Sequence, residues 1–288
     1  MAEYSIKDLE NFTNIKAHTL RIWEQRYSLL EPKRTDTNIR YYSDKDLKKI
    51  LNINLLYNNG YKISRIATMS ESEITELSKE YLESKHQSKS DHVDYFVRSV
   101  IDLDEQKIQK RLDELNDEMG TAKLFVRVLI PLLQKIGDLW QVDTISVSHE
   151  HFLSNILREF LILETAKLIS TKKSKGTVIL FLHEREMHEL SLLYYHFLLK
   201  SRGYLCYYLG QNVPLKDLKT MVTQKKPDYV FTSVIAETDP EYFKEFIEGL
   251  CKIVPADKIF MGGHQMFRYK KLIPSQIHWI QSEKDIII

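Results

Sequence analysis

The stretch 177-TVILFLHEREMHELSLLYYHFLLK-200 decides the fold. Thr177 to Leu182 is a short apolar, β-branched run without alternation, which predicts a strand buried on both faces. A polar stretch, His183 to Glu189, interrupts it, and from Leu190 the apolar residues return over a helical length. Three more runs of the first kind follow: "YLCYYLG" (204–210), "YVFTSV" (229–234) and "KIFMGG" (258–263), each set off from the previous one by a helical segment. Strands alternating with helices predict βαβ units and a doubly wound, Rossmann-like parallel sheet with helices on both faces, over 176–288. No G-x-G-x-x-G follows the first strand, which argues against a nicotinamide or flavin enzyme.

Toward the N-terminus the pattern changes. Between the charged "ESKHQSKSDH" (83–92) and the basic "STKKSKG" (170–176) the apolar residues recur at helical spacing, which predicts several packed helices, and the architecture expected over 85–172 is a four-helix bundle. Residues 1–75 read as short helices. Ser5 caps one carrying Ile6, Leu9 and Phe12, and "IKAHTLRIWEQRYSLL" carries Leu20, Trp23 and Tyr27. Pro32 and polar residues then break the period before Ser43-Asp44 opens another helix, a winged helix-turn-helix pattern. The whole is a multidomain α and α/β chain.

Composition narrows the function. With 288 residues, 43% hydrophobic and 28% charged, the chain has material for several packed domains. No apolar run approaches a membrane span and "MAEYSIKDLE" lacks the blocks of a signal peptide, so a cytoplasmic protein without membrane contact is expected. Cys206 and Cys251, amid apolar neighbours and outside any CxxC pair, are expected as buried free thiols. A net charge of +1 confines nucleic-acid affinity to a local surface.

Such a surface is present in the first segment. Arg21 and Arg26 cannot both point into the core built by Leu20 and Trp23, and Lys33, Arg34, Arg40, Tyr41 and Tyr42 put cations and aromatic rings on the wing, suited to phosphate and groove contacts. The residues alone also allow, with less weight, a helical protein-interaction domain. "YSIKDLENFTNIKAHTLRIWEQRYSLLEPKRTDTNIRYYSDKDL" (4–47) resembles the DNA-binding domain of MerR-type transcription regulators, with "TLRxWExRY" and "RYY" as markers. The resemblance implies a dimer on double-stranded operator DNA, contacted by Arg21, Arg26, Arg34, Arg40 and Tyr41.

At the strand ends, where doubly wound sheets bind ligands, the sequence places His188 beside Glu186, then Ser233, then Gly262-Gly263. An imidazole held by a carboxylate suits a transition metal, and a glycine pair allows close approach to backbone. Singly, these are also an ordinary loop histidine and a turn. His183 and His188, five apart, would point about 140° from each other on a helix, so zinc fits poorly. In order, E186-M-H188-E-L-S191, S233-V-I and G262-G263 resemble the D-x-H-x-x-G, S-x-L and G-G signature of cobalamin-binding domains over 176–288. That implies His188 as the lower cobalt ligand, with the nucleotide tail lying along the sheet near Ser191, Ser233, Gly262 and Gly263. Glu186 for Asp keeps an acceptor. Ser191 for Gly puts a side chain at the mouth of the tail groove, and Ile235 stands for Leu.

The segment "LWQVDTISVSHEH" (139–151) supplies a third element. Trp140, Glu150 and His151 read alone as a core tryptophan and a surface charge pair, yet W140-x9-E150-H151 resembles the W-x9-E-H motif of cobalamin-dependent, light-sensing MerR regulators of the CarH/LitR type. There the bundle caps the upper face of the corrin, the indole packs on the 5′-deoxyadenosyl group, and the Glu-His pair lines the pocket. Gln141 stands where such sensors carry a histidine that takes the upper cobalt position after photolysis, and an amide is a poor cobalt ligand. The implied function is a non-enzymatic transcription regulator, a repressor, binding adenosylcobalamin and operator DNA as a homo-oligomer, dimer or tetramer, whose assembly responds to light. Two alternatives stay open: a MerR-type regulator with a degenerate corrin pocket that senses a protein partner, and a corrinoid methyl-carrier protein, for which a DNA-binding head has no use.

Overall fold

In the computed structural model Ser5 opens the first helix, α1 (Ile6–Thr13), through a reciprocal pair: the Asp8 amide donates to Ser5 Oγ at 3.2 Å and the Ser5 amide to Asp8 Oδ2 at 2.6 Å. Residues 4–13, 15–34, 38, 40–85, 91–168, 174–236 and 238–286 are described. They fall into two units, Met1–Leu153 and Ser154–Ile288.

In the first unit α2 (Ala17–Tyr27) follows, ended by Ser28 in the left-handed region at φ 51°. Strands β1 (Lys33–Arg34) and β2 (Arg40–Tyr41) pair antiparallel, Lys33 opposite Tyr41 and Arg34 opposite Arg40, as the expected wing. Most of its tip, 35–37 and 39, lies outside the described residues, as do 86–90 and 169–173 in the expected connecting segments. Ser43 caps α3 (Asp44–Asn58) in a capping box with Asp46, and α4 (Ile63–Ile66) and α5 (Glu71–Lys85) complete the head. Leu9, Leu20, Trp23, Tyr42, Ile50, Ile53, Leu56 and Ile66 form its buried centre.

Helices α6 (Asp91–Ile101) and α7 (Glu105–Met119) come next, the second capped by Asp104 and ended at Gly120, φ 80°. A continuous helical run then comprises α8 (Thr121–Leu124), one π turn (Phe125–Leu129) and α9 (Ile130–Gln141). The π turn has a local cause: Pro131 has no N–H to donate and its ring would crowd the carbonyl four residues back, at Arg127, so the helix widens there. With α10 (Val147–Lys167), which passes from the first unit into the second, these are the four helices expected.

The second unit alternates as its sequence predicts: β3 (Thr177–His183), α11 (Leu190–Ser201), β4 (Leu205–Val213), α12 (Leu215–Lys225), β5 (Tyr229–Ser233), α13 (Pro240–Ile253), β6 (Ile259–Gly262), α14 (Gln265–Arg268) and β7 (His278–Trp279). All sheet pairings are parallel, in the order β4-β3-β5-β6-β7. Strand order thus reverses between β3 and β5, and a doubly wound sheet opens its ligand crevice there. Val178 to His183 are buried throughout. The two-residue β7 was not anticipated; it pairs only Phe260 with His278 and Met261 with Trp279. Cys206 and Cys251 are free and half-buried, not fully buried as expected. Among the described residues no helix is long and apolar enough to cross a membrane.

Replacing Ser43 with alanine removes the cap of α3 and should cost about 1 kcal/mol, read as a lower denaturation midpoint with an unchanged slope.

Candidate functional site

The β3–α11 loop is built around one carboxylate. Glu186 is fully buried. Its Oε2 accepts the amides of Ile235 and Ala236, each at 2.7 Å, from the loop after β5. Its Oε1 accepts the His188 amide at 2.9 Å and lies 2.7 Å from His188 Nδ1. Burial by itself raises the Glu186 pKa, but the bonds from the His188 ring and from the amides of His188, Ile235 and Ala236 outweigh it and hold the carboxyl below its usual range. With Nδ1 facing the Glu186 carboxylate, a neutral ring would donate there and carry its lone pair on Nε2, and the His188 side chain is 60% exposed. That is the posture of a metal ligand with its supporting carboxylate.

His183, at the end of β3, is a different histidine. It is buried beside Phe246, its Nδ1 lies 2.7 Å from the Glu184 carbonyl, and burial lowers its pKa, so it packs as a neutral ring. Glu189, just before α11, pairs with Arg158 and accepts the Tyr208 hydroxyl at 3.0 Å.

The other strand-end residues meet each other. Ser191 Oγ donates to the buried Ser233 Oγ at 3.1 Å. A Cβ on Gly262 would lie 2.1 Å from the Tyr195 hydroxyl, and one on Gly263, at φ 104°, would lie 2.2 Å from the Val234 carbonyl oxygen. Both glycines are therefore required by the chain's own packing. No sequence signal singled out Tyr195, one of many apolar residues on α11. The donor set fits a corrinoid's metal at His188, which Glu186 aims; Tyr195 and the Ser191–Ser233 bond occupy the path that the sequence resemblance implies for a nucleotide tail. Among the described residues no three His, Cys, Asp or Glu side chains gather to hold a bare ion. A single imidazole serves a metal that brings its other ligands with it.

In the first unit Trp140 and Gln141 end α9. The indole is half-buried against the head's core, with Lys48 Nζ 5.1 Å from its ring. Glu150 and His151, on the first turn of α10, bond to one another at 2.6 Å between Oε2 and Nδ1. On the head Arg21, Arg26 and Arg34 are exposed, Arg34 donating to Asn38 Oδ1 at 2.6 Å. Arg40 and Tyr41 are half-buried. Arg40 Nε lies 3.4 Å from Glu24 Oε2, and Glu24 also accepts the Tyr42 hydroxyl, so this carboxylate ties the wing strand to α2. Burial and the Glu24 carboxylate push the Tyr42 hydroxyl up.

A carboxylate whose pKa is depressed in the folded state adds stability that is present above its unfolded pKa, about 4.3, and lost as pH falls through the lower folded value. Chemical denaturation from pH 7 down to 3 should show that loss, and Glu186→Gln should reduce it while lowering stability at pH 7 by about 1–3 kcal/mol.

Comparison with known proteins matches two segments of the chain. Residues 4–73 match the MerR HTH family regulatory protein model, and residues 93–163 match the B12 binding domain model. The chain is 28% identical to the HTH-type transcriptional repressor CarH of Myxococcus xanthus, over 99% of this chain and 98% of that protein. It is 25% identical to the HTH-type transcriptional repressor CarA of the same organism, over 90% and 85%. A solved structure, the Methanosarcina barkeri monomethylamine corrinoid protein, is 16% identical and covers 58% of this chain and 81% of its own, with a TM-score of 0.48. The head that presents Arg21 and Arg26 and the helices that carry Trp140 are thus the two matched segments, and the chain is a cobalamin-binding, DNA-binding regulator with one segment similar to MerR HTH regulatory proteins and one similar to B12 binding domains.

Proposed function

We propose that the chain is a transcriptional repressor that binds adenosylcobalamin and responds to light through its oligomeric state. The observation that carries this reading is the His188 imidazole, held at Nδ1 by the buried Glu186 and exposed at the switch point of the sheet. It occurs in a chain whose preceding segments match a MerR head and a B12 binding domain. CarH and CarA, both named as repressors, support the sign of regulation.

In this reading the parts are a DNA-binding head (1–75), a helical segment (85–172) and a sheet domain (176–288). His188 would hold the cobalt, with Glu186 fixing the ring's tautomer and direction. Ser191, Ser233, Gly262 and Gly263 line the path of the nucleotide tail. Trp140 offers an apolar face to the adenosyl group and Glu150 and His151 hydrogen-bond its ribose. When bound, adenosylcobalamin supplies a cobalt–carbon bond that light breaks. Arg21, Arg26, Arg34, Arg40 and Tyr41 meet operator DNA. One head offers few contacts, so assembly into a dimer or tetramer multiplies them and makes repression steep. The protein acts by binding, in the cytoplasm, without turnover.

A second reading rests on Tyr195 and the Ser191–Ser233 bond, which fill the path assigned to the tail. There the corrin pocket is degenerate, and a protein partner is the signal.

Absorption spectra with adenosylcobalamin, in the dark and after green light, decide between the two. Bound corrinoid with a light-dependent spectrum and a change in mass supports the first; a colourless protein with an unaltered ligand spectrum supports the second. His188→Ala should weaken corrinoid binding ~10- to 100-fold and shift the spectrum, and an unchanged affinity removes its ligand role. Ser191→Gly, which frees the mouth of the groove, should tighten binding about five-fold, the scale of one hydrogen bond.

A further inference from the structure

The indole assigned above to the adenosyl group is engaged by the head in this structure. Lys48, on α3, lies 5.1 Å from the Trp140 ring and pairs with Asp143 Oδ1 at 2.5 Å. One turn along α3, the buried Asn52 meets Gln141 twice: its Nδ2 donates to the Gln141 carbonyl at 3.4 Å, and Gln141 Nε2 donates to its Oδ1 at 3.2 Å. The Lys48 side chain is only 13% exposed, so its charge depends on the carboxylate and the ring face for compensation. Four groups on the end of α9 and the turn after it therefore meet two on α3. They join elements far apart in sequence, within one unit of the fold.

We propose that the Trp140–Asp143 turn is a latch that seats the DNA-binding head on the helices following it, and that head seating and the adenosyl ligand compete for Trp140. Gln141 acquires a role here that an imidazole does not fill in the same way. Its amide gives a donor to Asn52 Oδ1 while its backbone carbonyl takes the Asn52 donor, so this departure from the resembled sensors serves the head instead of the metal. The part of the indole packed on the head's core is closed to a ligand, so a ligand that takes that surface of Trp140 requires the latch to open. By linkage, whatever opens the latch tightens the ligand by the same factor.

The competition rests on the cofactor reading; the latch does not, and two measurements separate them. In the full-length chain with Cys206→Ser and Cys251→Ser, nitroxide labels at Ser64→Cys and Gln109→Cys, both exposed, report head-to-helix distance without ligand. One narrow distance distribution is expected. Gln141→Leu should broaden it, and so should Asp143→Asn, a milder change because asparagine tolerates the left-handed backbone at φ 57°. Distributions identical to the unsubstituted chain in both variants overturn the latch. In the second measurement, titration with adenosylcobalamin in the dark, the same variants should bind about five-fold or more tightly. Equal affinity overturns the competition. If neither variant nor the unsubstituted chain binds the cofactor, the cofactor reading and the competition fall together, while the label distances still judge the latch.

Discussion

The sheet edge depends on a buried carboxylate with four donors. Taking Glu186 out of water costs several kcal/mol, and charge-assisted bonds of about 1.5–3 kcal/mol each offset that only because all are made at once. Two come from the loop after β5 and two from the loop after β3, so the charge fastens together the connections that diverge at the switch point. His188 is oriented as a by-product of this fastening. Its direction is set before any ligand arrives, which lowers the cost of binding through it.

Glu24 plays a comparable part in the head. One carboxylate meets Arg40 and the Tyr42 hydroxyl, and so attaches the wing strand to α2. The exposed Arg21 and Arg26 on α2 and Arg34 on the wing are then carried by elements that this carboxylate joins. Arg40, one of the five head residues assigned to DNA, is also engaged in holding that frame.

What could be read from the sequence follows physical range. The buried strands β3 and β5 were legible because a parallel sheet covered on both faces demands unbroken apolar runs, and Ser5 and Ser43 because capping is settled within three residues. Glu186 with His188 was legible for the same reason, two positions apart in one loop. The amides of Ile235 and Ala236 were not, since backbone donors leave no mark in residue types. Tyr195 looked like any apolar residue of α11 until Gly262 was seen to stand against its hydroxyl. Strand β7 offered too little periodicity, and the contacts of Lys48 and Asn52 with the end of α9 join positions 89 to 95 residues apart.

The widened turn at Phe125–Leu129 has a reach beyond its five residues. A helix that accommodates one extra residue turns everything downstream by about 100° relative to an evenly wound one. The azimuth at which Trp140 leaves α9 is thus fixed more than two turns upstream, by a proline. Removing one residue from that turn would rewind the helix and swing the indole to a different quarter of its circumference, leaving every residue near Trp140 unaltered.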